Sequence, residues 1–456
     1  MSAIHELVNQ HQQFFRTGVT KDLDYRLNTL KKLRHTIKSH EKEILDALKK
    51  DLNKSEFEGY ATELGMVYEE LNTAIRKVPD WAKKKKVRTP LMHFLSSSAL
   101  YPEPYGTVLI MSPWNYPFQL ALIPLIGAVA AGNCCVVKPS EYSFHTSEVI
   151  EKIVKEVFDS RHVSVIRGGR AANQSLLEEK FDYIFFTGSP SVGHLVMESA
   201  AKYLTPVTLE LGGKSPCIID ETADISLAAK RIIWGKLLNA GQTCIAPDYL
   251  LVHKNVKSAL IAEMKKAIIH FYGLEPEKNP SYPCIINQKH FDRLRMLMED
   301  GTILQGGTVN LETRQIAPTL IDGINADSPI MQEEIFGPLL PVLSFETIAD
   351  ARSFVAERPK PLALYLFSRD KTVIAQTMNE LPFGGGCIND TITHIANPNL
   401  PFGGVGDSGM GQYHGYRSFE TFSHQKAVLQ KSNVFDVPLR YPPFKDDLSL
   451  LKKIMK

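Results

Sequence analysis

Cys244 closes the segment Asn239-Ala240-Gly241-Gln242-Thr243-Cys244, where glycine and small polar residues surround a thiol. Ile245-Ala246-Pro247 then breaks the pattern. A core cysteine normally sits inside an apolar run, as Cys217 does in Pro216-Cys217-Ile218-Ile219, and Cys217 reads as structural. A thiol in a turn is placed for nucleophilic attack if the site can generate its thiolate, since an ordinary cysteine has a pKa of about 8.5. Taken alone, such a cysteine is more often a structural bystander, so its company decides. Leu209-Glu210-Leu211-Gly212-Gly213-Lys214 sets an acid at the end of an apolar strand, where partly apolar walls would suit a general base. Its plain alternative is an exposed strand-end carboxylate. Pro113-Trp114-Asn115 also follows a strand, and the Asn115 amide could stabilise an oxyanion.

Two further segments suit a nucleotide, and a third adds polar groups. Val137-Lys138-Pro139-Ser140-Glu141 offers Lys138 and Glu141 to ribose hydroxyls. Phe185-Phe186-Thr187-Gly188-Ser189-Pro190-Ser191-Val192-Gly193 runs from a strand into an apolar helix that Ser189 can cap and Pro190 can open. Free N–H groups at such a helix start attract phosphate. Gln332-Glu333-Glu334-Ile335-Phe336-Gly337-Pro338 adds a carboxylate and an aromatic ring in another turn. The one G-x-G-x-x-G match, Gly404 to Gly409, follows Pro401-Phe402 rather than a strand, so it reads as a loop needing positive φ and not as a dinucleotide fingerprint.

Together and in this order, these motifs resemble the aldehyde dehydrogenase superfamily over essentially the whole chain. Leu-Glu-Leu-Gly-Gly-Lys, Gly-Gln-Thr-Cys and Glu-Glu-Ile-Phe-Gly-Pro carry the likeness. Ser408-Gly409-Met410-Gly411-Gln412-Tyr413-His414-Gly415 and Arg440-Tyr441-Pro442-Pro443-Phe444 look like the compact class 3 branch. The resemblance implies that Cys244 is the nucleophile, Glu210 the general base, and Asn115 an oxyanion donor with the Cys244 N–H. It implies that Lys138 and Glu141 hold the adenosine ribose, and that Gly188, Ser189 and Gly193 line the pyrophosphate turn. Glu334 and Phe336 would place the nicotinamide ribose and ring, and Trp114 would line the cofactor cleft. His414 matches the class 3 pattern without an assigned chemistry. The implied activity is NAD(P)-dependent oxidation of medium or long aliphatic, or aromatic, aldehydes by a homodimer.

The elements that must position these residues follow from periodicity. Leu23, Leu27, Leu30, Leu33 and Ile37, then Ile44, Leu45, Leu48 and Leu52, recur at helical spacing. Beyond Pro104, short apolar strands alternate with helical stretches, each strand ending in a polar or glycine motif: Thr107 to Met111, Val136-Val137, Val163 to Ile166, Tyr183 to Phe186, Val207 to Leu209. That alternation predicts an α/β fold with a doubly wound parallel sheet, whose ligands bind beyond the carboxyl ends of the strands. A second alternating region runs from about Ser215 to Asp390 and includes Tyr249 to Val252 and Leu362 to Phe367. The expected organisation is a cofactor domain from 1–80 and 105–210, a catalytic α/β domain over 211–390, and an oligomerisation arm and tail from 81–104 and 391–456. Arm contacts are expected near 85–104 and 425–440.

Composition narrows the remaining classes. A net charge of +2 across 456 residues gives no pull toward nucleic acid, and 44% hydrophobic content is ordinary for a globular chain. The six cysteines form no C-x-x-C pair and no zinc spacing, which fits a reducing cytoplasm and no metal. Met1 to Glu6 lacks a signal-peptide pattern. Phe118 to Val137 carries no charge and is long enough to span a bilayer, but Gly132-Asn133 divides it into a core helix and a strand. Lys83 to Lys86 reads as a solvated linker. The tail from Leu448 to Lys456 mixes apolar and basic residues; it reads as a packing helix, with peripheral membrane contact as the lesser reading.

Two rival chemistries share these residues. A CoA-acylating dehydrogenase would replace water with a thiol, against which Glu210 argues. A non-redox hydrolase would pair Cys244 with His414. Glu141 repels a 2′-phosphate, which favours NAD, while Lys138 beside it leaves NADP open.

Overall fold

The computed structural model of the chain describes residues 3–436, 440–444 and 448–454. Helices Ala3–Arg16, Leu23–Ser39, Glu41–Leu52 and Gly65–Trp81 form the amino-terminal region. The expected stripes face inward: Leu30, Leu33, Ile37, Ile44, Leu48 and Leu52 are fully buried.

Two sheets organise the rest. In the first, the order is Gly409–Met410, Val207–Leu211, Tyr183–Gly188, Thr107–Met111, Cys134–Lys138, Val163–Val165. All its pairings are parallel except that of the Gly409–Met410 edge. The chain order reverses between Thr107–Met111 and Tyr183–Gly188, the switch point at which a doubly wound sheet opens a crevice. In the second sheet the order is Thr302–Gln305, Thr319–Asp322, Leu339–Phe345, Tyr249–His253, Pro216–Ile219, Ala363–Phe367, Gly385–Ile388. It too is parallel apart from its first strand. The central strands Thr107–Met111, Cys134–Lys138, Tyr249–His253 and Ala363–Phe367 are buried along their whole length, as parallel strands covered on both faces are.

The uncharged stretch divides as its glycine dictates. Helix Gln119–Ala131 is buried at every position, Gly132 takes φ 98° to end it, and strand Cys134–Lys138 follows. Among the described residues no helix is long and apolar enough to cross a membrane. The lysine run departs from the expected linker. Lys85–Val87 is an exposed strand, antiparallel to Ser96–Pro104, which pairs in turn with Ser423–Lys431. Backbone pairing to Ser98, Ala99 and Leu100 makes it a strand while its lysines stay solvated. Part of the expected arm, 437–439, and the end of the tail, 455–456, lie outside the described residues. The short helix Leu448–Ile454 precedes that end.

Candidate active site

The carboxyl ends of the first sheet's strands open into a cleft of about 2280 Å³. Register explains why the sequence motifs meet there. Met111 lies level with Lys138 and Phe186, and Thr187 level with Glu210, so the loops after four strands leave the sheet on one side. Trp114, Asn115, Lys138, Glu141, Gly188, Ser189, Glu210, Cys244, Glu334 and Phe336 all line this cleft.

The cysteine turn is held by its own polar residues. After helix Ile225–Leu237 the chain turns through Asn239, Ala240 and Gly241 at φ 52°, 52° and 76°. Such a run of left-handed residues costs free energy without support. The Asn239 N–H donates to Glu58 Oε1 at 2.5 Å, and its Nδ2 donates to the Asn115 and Gln242 carbonyls at 2.8 and 3.1 Å. Gln242 Nε2 donates to the Asn239 and Cys284 carbonyls, and its Oε1 accepts from the Ile286 N–H. Gly241 combines its positive φ with a close approach, because a Cβ there would lie 2.2 Å from the Gly337 carbonyl oxygen. The turn therefore presents Cys244, which is partly exposed to the cleft, with the N–H groups of Cys244 and Ile245 directed at its own sulfur. Burial, then the nearby Glu334 and Glu210 carboxyls, push this thiol well above the ordinary cysteine range.

Asn115 Nδ2 donates to the Gln242 carbonyl at 3.1 Å, which leaves its second N–H for the cleft. Glu210 is only 3% exposed, and neither carboxyl oxygen has a hydrogen-bond partner among the described residues. Burial therefore raises its proton affinity well above that of a free carboxyl. Glu334 lies over Gly212, where an added Cβ would come within 1.9 Å of Oε2. It accepts from the Gly213 N–H, and burial followed by Asp248 pushes it up to about 8.

At the other end of the cleft, Lys138 Nζ donates to the Pro139 carbonyl at 2.8 Å, and burial lowers it to about 8. The Glu141 carboxylate sits against Gly169, where a Cβ would fall 2.0 Å from Oε2. Pro190 opens helix Pro190–Ala201 as expected. Two details differ from expectation. Ser189 occupies the N-cap position but makes no side-chain cap; its hydroxyl pairs with Ser191 at 3.1 Å. Gly193 does not line the cleft: it is buried in the helix, and a Cβ there would strike the Leu211 side chain at 2.7 Å, so its role is close helix–strand packing. The unbonded N–H groups of the helix's first turn, a lysine, a carboxylate and a broad cleft suit a dinucleotide.

Trp114 meets Phe336 edge-on with ring centroids 5.3 Å apart and also contacts His290. Phe336 holds φ 51°, so its loop needs outside support. Lys214 supplies it by donating to Asp248 and to the Ile330 and Glu333 carbonyls, and Asp248 accepts from the Ile335 N–H. Arg293 donates to the Glu334 and Ile335 carbonyls. Sequence reasoning gave these three residues no role. Only Lys214 had a signal, as the last residue of the Glu210 motif. His414 is buried outside the cleft lining, packed against Tyr413 and Phe402, and burial lowers it to about 4. It forms no hydrogen bond with Cys244; the sulfur–imidazole contact among the described residues joins Cys387 to His394 at 3.5 Å. The G-x-G-x-x-G loop is structural as expected. Gly409, at φ 136°, pairs antiparallel with Glu210 and edges the first sheet.

A switch-point crevice with an uncapped helix start at one end and a thiol near two carboxyls at the other has the form of an α/β enzyme that works on a dinucleotide. Comparison with known proteins narrows the class. The chain belongs to the aldehyde dehydrogenase family, whose pattern matches residues 2–428. It is 48% identical over 458 residues to the 4,4'-diaponeurosporen-aldehyde dehydrogenase of Staphylococcus aureus, covering 100% of both chains. It is 43% identical over 445 residues to the dimeric NADP-preferring aldehyde dehydrogenase of Rattus norvegicus, covering 97% of this chain and 98% of the relative. The solved substrate-bound state of Staphylococcus aureus AldH superimposes with a TM-score of 0.99 over the full length of both chains at 48% identity. The protein is thus an aldehyde dehydrogenase that uses a nicotinamide cofactor and oxidises aldehydes to acids.

Proposed function

We propose that the chain oxidises apolar aldehydes, medium or long aliphatic or aromatic, through a thioester on Cys244. The observation that carries this reading is that the Cys244 thiol, the Asn115 amide and the unpartnered Glu210 carboxyl line one cleft. The aldehyde named in the Staphylococcus aureus relative is a candidate member of that substrate class.

The thiol gives up its proton to a carboxylate of the site, and the sulfur bonds to the carbonyl carbon. The carbonyl oxygen becomes an oxyanion, and the Asn115 N–H and the Cys244 N–H hold it; losing one such donor typically costs about 100- to 1000-fold in rate. Hydride then leaves the substrate carbon with two electrons, which a nicotinamide held in the cleft would accept, and a thioester remains on Cys244. Glu210 then takes a proton from water, whose oxygen attacks the thioester carbon. The carbon–sulfur bond breaks, the acid departs and the thiolate returns. Lys138 and Glu141 would hold the adenosine ribose, Gly188 and Ser189 the pyrophosphate, and Glu334 and Phe336 the nicotinamide end, with Trp114 as a wall. The placement of Glu141 favours NAD over NADP.

The same reading makes the protein a cytoplasmic homodimer. Two parallel sheets and a separate three-stranded sheet support the division into cofactor domain, catalytic domain and arm. Exposed Val428 and Leu429 on the arm, and a relative described as dimeric, support subunit contact there. The decisive experiment is an aldehyde panel with NAD and NADP, with products identified with and without CoA, run on the wild type and Cys244→Ala. Acid should form without CoA, and Cys244→Ala should bind cofactor yet not turn over. Near-wild-type cofactor reduction by Cys244→Ala would overturn the assignment.

A further inference from the structure

We propose that Lys54 is a positioning residue for this reaction: its buried ammonium fixes the Asn115 peptide and, through Tyr116, the turn that carries Cys244. The proposal rests on the roles given above to Asn115 and Cys244. Lys54 follows helix Glu41–Leu52 and the left-handed residue Asn53. Its side chain is fully buried, and so is that of its partner Glu63. An ammonium has three donors. One goes to Glu63 Oε1 at 2.6 Å and one to the Asn115 carbonyl oxygen at 3.0 Å. The nitrogen also sits 4.0 Å from the centroid of the Tyr116 ring, a cation–π contact.

Glu63 completes the frame from its other oxygen. Oε2 accepts from the Phe118 and Gln119 N–H groups at 3.0 and 2.9 Å, at the start of helix Gln119–Ala131. One ion pair therefore grips the chain at the carbonyl of residue 115, the ring of 116 and the amides of 118 and 119. Tyr116 carries this grip across the site, because its hydroxyl bonds Thr243 Oγ1 at 2.6 Å, directly before Cys244. Asn115 and the cysteine turn come from segments far apart in the chain, and Lys54 touches the first and reaches the second through one ring. A buried ion pair is a weak source of net stability, because desolvation offsets its attraction, and its best-attested use is to fix registry. Here the registry it fixes is that of the oxyanion donor relative to the sulfur.

The test uses p-nitrophenyl acetate, an activated ester that acylates a thiol without nicotinamide. The sulfur bonds to the acetyl carbon, the ester bond breaks and p-nitrophenolate leaves, so the burst reports acylation alone. Lys54→Met/Glu63→Gln removes both charges of the pair together. It should bind NAD with wild-type affinity while its burst rate falls roughly 10- to 100-fold, as small misplacements at a reacting centre do. Tyr116→Phe keeps the ion pair and both Glu63 contacts, and should slow the burst by a smaller factor at unchanged NAD affinity. It decides the matter if the double variant does not fold. Wild-type burst rates in Tyr116→Phe and in any folded double variant would overturn the proposal, even if melting temperatures fell. Asn115→Ala separates the two levels. If it slows the burst while the other variants do not, only the Lys54 proposal fails; if it leaves the burst intact, the reading of the oxyanion site fails.

Discussion

Replacing Glu210 by Gln should move stability and activity in opposite directions. The carboxyl is almost wholly buried and has no hydrogen-bond partner among the described residues, so the amide forfeits no hydrogen bond seen there. Burial raises the proton affinity of the folded carboxyl above its unfolded value, which is about 4.3. Wild-type stability from this group is then fully present below about pH 4.3 and is lost as pH rises through the folded pKa. Glutamine never ionises, so the variant should gain on the wild type over that window and keep the gain above it. Each tenfold rise in proton affinity corresponds to about 1.36 kcal/mol. Losing a general base costs roughly 100- to 10000-fold in the step it serves. That step is water attack, so the variant should still release about one equivalent of reduced cofactor per site in a rapid burst and then stall as thioester. Stopped-flow absorbance reads the burst, mass spectrometry of quenched enzyme reads the acyl group, and denaturant unfolding at pH 5 and pH 8 reads stability. The reasoning fails if steady-state turnover stays within a few-fold of wild type, or if the variant is less stable than wild type at pH 8.

Two further outcomes test the surroundings of the sulfur. Because burial, Glu334 and Glu210 hold the thiol protonated, iodoacetamide should alkylate Cys244 at pH 8 at least about tenfold more slowly than a small free thiol, with the rate still rising above pH 9. Glu334→Gln should speed the reaction at pH 8, and a pH–rate series on both proteins checks this. Gly212→Ala places a Cβ against the Glu334 carboxylate, which must withdraw from 1.9 Å to ordinary contact and lose the Gly213 N–H. Calorimetric NAD affinity should fall roughly 10- to 100-fold, the usual loss for a hydrogen bond to a charged group, while the melting temperature changes little.

The local rules read well from the sequence. Period and turn chemistry found the five parallel strands of the first sheet, three of the seven in the second, the Gly132 break and the structural nature of Gly404 to Gly409, because each is decided within a few residues. Cys244, Glu210 and Asn115 were legible as chemistry-bearing types at strand ends or in a glycine turn, and the cleft gathers them. Gly193 and Ser189 were misjudged in detail, since close packing on Leu211 and pairing with Ser191 depend on what lies opposite. Lys54, Glu63, Asp248 and Arg293 left no trace, because a charged residue in a helix or loop looks solvated until tertiary contact buries it. The arm strand Lys85–Val87 was hidden for a related reason: its pairing partners, not its lysines, make it a strand.

The pairing of Gly409 with Glu210 has a bearing on biosynthesis. During translation the strand bearing Glu210 leaves the ribosome about two hundred residues before the one that flanks it. Until then its outer side is an open β edge, which invites foreign strands. A chain released short of residue 409 would carry Cys244 and Glu210 yet lack the strand that encloses Glu210 on that side.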